Sequence, residues 1–136
     1  MTFAIPDEHK VARSAATLAR AATGSGNSVI QFFDTPQPSL GDAPGATPVV
    51  EVVLSASIGT VSVTGIISLV QADLTGDVIL ADGLVVWGRW LARNGALMGD
   101  GTVSDAAGTG FFKLSGTVGT QLYAGARAIL GVTAIG

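Results

Sequence analysis

The residues that could carry chemistry are few and scattered. His9 is the only histidine and there is no cysteine, which excludes thiolate zinc sites, disulfides and cysteine nucleophiles. A Ser-His-Asp triad would have to run through His9, and no Gly-x-Ser-x-Gly elbow accompanies it. His9 falls instead at the start of a predicted helix, where an exposed side chain is the ordinary outcome. Asp73, Asp77, Asp82 and Asp100 offer carboxylates for glycoside hydrolysis. Each sits at a predicted turn, however, where solvated aspartate is the default. Asp100 and Asp105, with Gly101 between them, suggest a calcium loop but lack the alternating oxygen ligands and closing glutamate of an EF-hand. Neither Gly-rich phosphate cradle occurs. The expectation is a protein that is not an enzyme, with no cofactor and no metal.

Two features depend on the scaffold beneath them. Glu51 interrupts an apolar strand, as either an outward-facing residue or one half of an interface ion pair with Arg89 or Arg127. The run Trp87-Gly88-Arg89-Trp90 is the most distinctive. On a strand, Trp87 and Arg89 face one side while Gly88 and Trp90 face the other. One indole should then lie nearer the core and one nearer the surface, though core packing of both rings is the competing reading. Tryptophan and arginine concentrate at interface hot spots, which makes Trp87, Arg89 and Trp90 candidate interface residues.

The elements that would position these residues are mainly β. Only Asp7–Thr23 reads as a helix: Pro6 and Asp7 suit its start, Asp7 and Glu8 its positive end, and Gly24 its stop. Val11, Ala15, Leu18, Ala19 and Ala22 share one narrow face, with Arg13 and Arg20 off it. Residues 1–27 thus form a helical arm, lying on its own sheet or on a neighbour. Residues 28–136 form the β-domain. Its strands are expected at Ser28–Phe33, Val49–Ser57, Thr60–Thr64, Ile66–Ala72, Asp77–Ala81, Leu84–Leu91, Ala96–Met98, Phe111–Leu114, Thr120–Tyr123 and Arg127–Ile135. Asp82-Gly83 and Asn94-Gly95 read as hairpin turns and Gly99-Asp100-Gly101 as a third turn. Such short strands between Gly-based turns predict an antiparallel β-sandwich or jelly roll with a short N-terminal helix. The loop Asp34–Pro48 holds Pro36, Pro38, Pro44 and Pro48, and reads as a semi-rigid excursion suited to crossing a subunit boundary. Arg13, Arg20, Pro36 and Pro38 therefore join the candidate interface residues.

Composition narrows the partners. Of 136 residues, 48% are hydrophobic and 12% charged, about half the usual ~25% charged. Mean hydropathy is +0.54. No run reaches the ~20 apolar residues of a membrane helix, and Met1–Arg20 does not read as a signal peptide, because Asp7–Lys10 and Arg13 fall where its apolar segment should be. Five Phe, two Trp and one Tyr are too few for the aromatic girdles of a membrane barrel. The net charge is −3, with no basic stripe to follow a phosphate backbone. Neither membrane nor nucleic acid is expected. Apolar surface covered by neighbouring subunits explains the hydropathy better.

The order of these features resembles small structural proteins of tailed bacteriophages. An Ala/Arg helix, a Gly-Ser-Gly segment and a Pro/Ala/Thr-rich loop precede apolar strands. The C-terminal stretch then carries Trp87-Gly88-Arg89-Trp90, Asp100-Gly101-Thr102-Val103-Ser104-Asp105, Gly108-Thr109-Gly110, Lys113-Leu114 and Tyr123-Ala124-Gly125-Ala126. In size and β-character the chain is most similar to capsid decoration, or cement, proteins. That resemblance implies a virion structural protein on the capsid exterior, made in the host cytoplasm, trimeric and bound to the major capsid protein. Two other assignments stay open: a tail or fibre module that binds glycans through Trp87, Trp90 or Tyr123, and a tail or head–tail connector subunit.

Overall fold

The computed structural model, which describes residues 3–135, is mainly β with one short helix near the N-terminus, as expected. Residues 1, 2 and 136, the outermost of the expected arm and β-domain, lie outside that range. In β1 (Val29–Phe33), Ile30 and Phe32 point into the core while Val29, Gln31 and Phe33 point the other way. β1 pairs with β2 (Val50–Val61) on one side and β6 (Trp87–Leu91) on the other, both antiparallel. The sheet continues through β3 (Ile67–Gln71) beyond β2, and through β7 (Leu97–Asp105) and β8 (Phe112–Ser115) beyond β6. Opposite halves of this curled sheet face each other across one core that includes Ile30, Phe32, Val52, Ile67, Trp90 and Phe112. Each such side chain contributes roughly 1.5–3 kcal/mol by leaving water.

The last segment closes the curl. β10 (Arg127–Leu130) pairs with β8, and β11 (Ala134–Ile135) pairs with β3. Only Gly131–Thr133 separates them, so one stretch of chain joins the two sides of the sheet. β3 and β10 do not pair, and the buried Gln71 amide links them instead. Its Nε2 donates to Ala128 O at 3.0 Å and to Asp77 Oδ2 at 2.7 Å, and its Oε1 accepts from Leu130 N at 2.8 Å.

Several expected boundaries change. Thr60–Thr64 is not a separate strand, because β2 runs through a bulge to Val61. Residues 55–58 of β2 oppose Val70 alone, and Ile58 takes φ +68° there with its side chain fully buried. That backbone region is costly for a β-branched residue. Gly99-Asp100-Gly101 is not a turn but the middle of β7, drawn into the ladder opposite Trp90, Arg89 and Gly88. Asp82-Gly83 closes no hairpin, since Gly83 and Leu84 form β5 and pair with β9 (Gln121–Leu122). Asn94-Gly95 does turn β6 into β7, through Gly95 N donating to Ala92 O with Gly95 at φ +84°.

One pairing departs from the antiparallel expectation: β7 and β8 run parallel. Parallel neighbours normally need a crossover of about a dozen residues or more. Here 106–111 suffices because Gly110 N donates to Ser104 Oγ and the chain folds directly back on itself. A Cβ on Gly110 would stand 2.4 Å from Ser104 N.

The helix α1 (Asp7–Ala21) lies on its own sheet, at the end that carries the turns 62–65 and 92–96. Ser14 Oγ donates to Gly65 O, and Arg93 N donates to Ala21 O. Gly65, at φ +85°, brings its backbone against Lys10 where any side chain would collide. The buried face therefore centres on Ser14 and Ala21, flanked by Leu18 and Ala22, while Ala15 and Ala19 are exposed. Among the described residues no helix is long and apolar enough to cross a membrane.

Candidate assembly surface

The register confirms the facing of the Trp-Gly-Arg-Trp run and corrects its exposure. Gly88 and Trp90 face the core, and Gly88 leaves room for Phe32 and Phe112. Trp90 Nε1 donates to Ser28 Oγ at 2.9 Å. Trp87 and Arg89 face outward, yet both are buried, and the Pro-rich loop meets that side of the sheet at Arg89. Trp87 stacks on Phe33 with ring centroids 4.5 Å apart, and the Arg89 guanidinium lies 5.4 Å from the Trp87 ring. Arg89 Nε donates to Asp100 Oδ1 at 2.7 Å, and its Nη2 donates to Asp100 Oδ2 at 2.9 Å and to Asp42 O at 2.7 Å. Arg89 thus fastens the loop to the sheet. The loop Asp34–Pro48 is thereby tied to its own sheet at Asp42, while Pro36 and Leu40 stay exposed. Neither indole offers a free face, so glycan stacking on Trp87 or Trp90 lacks its platform.

The remaining candidates are dispersed. Arg20 is exposed and donates to Leu97 O at 3.2 Å. Arg13 is exposed at the rim of a cleft of about 670 Å³ between α1, the turn 64–67 and Ile135. Pro36 is exposed and Pro38 half-buried. Glu51 faces solvent and accepts from Gln31 Nε2 at 3.1 Å, with no bond to Arg89 or Arg127. His9 is exposed on the first turn of α1.

The two carboxylates considered for calcium hold protein groups. Asp100 is paired with Arg89. Asp105 accepts from Gly119 N at 2.7 Å, Gly108 N at 2.9 Å and Ala107 N at 3.1 Å. These bonds, that from Gly119 foremost, hold its carboxyl below the usual carboxylate range. Asp73, which accepts from the Thr75 hydroxyl and amide, is lowered in the same way.

A coherent surface lies at the end of the sheet opposite α1, and of the candidate aromatic and interface residues only Tyr123 belongs to it. β4 (Asp77–Val78) and β5 pair with β10 and β9, and the stretches between them are also bonded: Ile79 N donates to Ala126 O, Gly125 N to Ile79 O, and Ala124 N to Asp82 Oδ1. Segments 77–86 and 120–129 therefore make one irregular two-stranded ribbon. Leu80 N and Val86 N donate to Val49 O and Phe33 O, which places it across the ends of β1 and β2. Its inner face carries buried Ile79, Val85, Leu122 and Ala128. Its outer face carries Val78, Leu80, Leu84, Val86, Tyr123 and Ile129, of which Leu80 is 64%, Tyr123 61% and Leu84 55% exposed. The sequence hid this surface because both faces of Val78–Leu80 and Leu84–Val86 are apolar, a pattern that reads as a fully buried strand.

Comparison with protein-family models, with curated proteins and with solved structures finds no match for this chain.

Proposed function

We propose that the chain is a virion structural protein: a capsid decoration subunit that braces a tailed-phage head by packing between major capsid proteins. The observation that carries this reading is the outward apolar face of the ribbon. Exposed leucine, valine and tyrosine on a firmly held two-stranded element mark a surface meant to be covered by protein. The low charge and the phage-like order of features support it. Such a subunit acts mechanically. Contacts to capsid subunits that form only in the mature lattice add binding free energy to that state alone and stabilise it by linkage. The trimeric state and the capsid exterior belong to the same proposal. Purified mature particles should contain this chain in stoichiometric amount, and particles lacking it should break at lower temperature. Particles without a stoichiometric copy would overturn the assignment.

A further inference from the structure

We infer that the outer face of the ribbon is covered by another copy of this chain, ribbon against ribbon. The inference deepens the assembly reading and rests on it, naming the partner of the same surface. Three observations carry it.

The first is area. The fractional exposures of Val78, Leu80, Leu84, Val86, Tyr123 and Ile129 correspond to roughly 600 Å² of residue surface, main chain included, at the top of the range for a monomer's largest apolar patch. A standard interface buries about 800 Å² per partner. The polar fringe of Gln121 and Arg127 brings the face close to that figure.

The second is charge. Segments 77–86 and 120–129 hold three ionic side chains, Asp77, Asp82 and Arg127. Asp77 is turned inward, where its carboxylate accepts from Val53 N at 3.2 Å and from Gln71. The outer face is left with one acid and one base, so two copies meet without net repulsion although the chain as a whole carries −3. A strongly charged partner would find no complementary field there.

The third is stiffness. The ribbon is tied through its backbone to the ends of β1 and β2 and to β8, and anchored in the core by Ile79, Val85, Leu122 and Ala128. It therefore presents its outer side chains with little left to order on contact.

The test uses the purified full chain, followed by analytical ultracentrifugation from ~1 to ~100 µM. A dimer or trimer is expected, with Leu84→Lys and Leu80→Lys each weakening association by about 100-fold or more. Val63→Lys, on the exposed turn at the far end, should leave it unchanged. All three positions are exposed, so melting curves should stay near wild type, which separates lost association from lost folding. A chain monomeric throughout that range, or association unaffected by both leucine substitutions, overturns the inference. The two readings fail separately: a monomer still found stoichiometrically on particles sinks only the ribbon pairing, and an oligomer absent from particles sinks only the capsid role.

Discussion

Replacing Arg89 by alanine should be among the most damaging single changes available. The Arg89 side chain is 10% and that of Asp100 2% exposed, so the substitution leaves a carboxylate in a dry site with its two charge-assisted bonds gone. Breaking such a buried pair from one side costs about 3–5 kcal/mol. With ~2.1 cal/mol/K of unfolding entropy per residue, 136 residues give about 0.29 kcal/mol/K, so the melting temperature should fall by about 10–17 °C. Differential scanning calorimetry reads this directly. The double variant Arg89→Met with Asp100→Leu removes both charges and fills the space, and should recover most of the loss. Both variants also lose the bond to Asp42 O. Elastase should therefore cut within Asp34–Pro48 faster in each, although only the single variant melts much earlier. A single variant melting within about 3 °C of wild type, equivalent to roughly 1 kcal/mol, would refute the claim that this pair holds the outer side of β1 and β6.

The carboxyl of Asp105 ionises below its unfolded value of about 3.9. It therefore contributes stability above that pH and loses the contribution as pH falls through its lower folded value. Asp105→Asn should flatten the acid limb of stability, measured by urea unfolding between pH ~5 and ~2.5; parallel limbs would show that its three amide bonds are not what the proton disrupts. The two tryptophans should respond unequally to phenylalanine. Trp90→Phe breaks a bond to Ser28, whereas the buried Trp87 Nε1 has no acceptor. Trp90→Phe should accordingly be worse by about 1 kcal/mol. Urea midpoints decide it, and a larger loss at Trp87 would contradict the hydrogen-bond assignment.

Much of the fold was legible in the sequence because alternation and turn chemistry are local. Ser28–Phe33 and Phe111–Leu114 came within a residue of β1 and β8, and Pro6, Asp7 and Gly24 bracketed α1. What was not legible depended on partners distant in the chain. Asp100 looks like a turn residue until Arg89 lies opposite it. Ser14 looks like the polar side of a helix until Gly65 O receives its hydroxyl, which turns the buried face away from Ala15 and Ala19. Gln71 looks like the polar end of a strand, and nothing local reveals that it joins β3 to the last segment. The ribbon surface was hidden for a different reason. Tryptophan and arginine are enriched at interfaces, but a large ring is as useful packed within one chain as between subunits. Aliphatic residues with apolar neighbours on both sides gave no sign of which set faces solvent.

The distribution of polar groups bears on function as directly as the ribbon does. Gln71 bridges a gap in the ladder, Arg89 and Asp100 hold a loop, Asp105 gathers three amides, and Ser14 seats the helix. Each has its hydrogen-bonding capacity directed at its own chain, where leaving it unmet would cost about 1–3 kcal/mol per group. A site that transforms a small molecule needs polar groups converging on an open cavity. In the ribbon the polar backbone is bonded inward and across, and what faces solvent is mostly hydrocarbon, with one phenol, one acid and one base. Hydrocarbon held this firmly recognises shape more than chemistry, and the partner best matched to a neutral, apolar, rigid face is another face of the same kind.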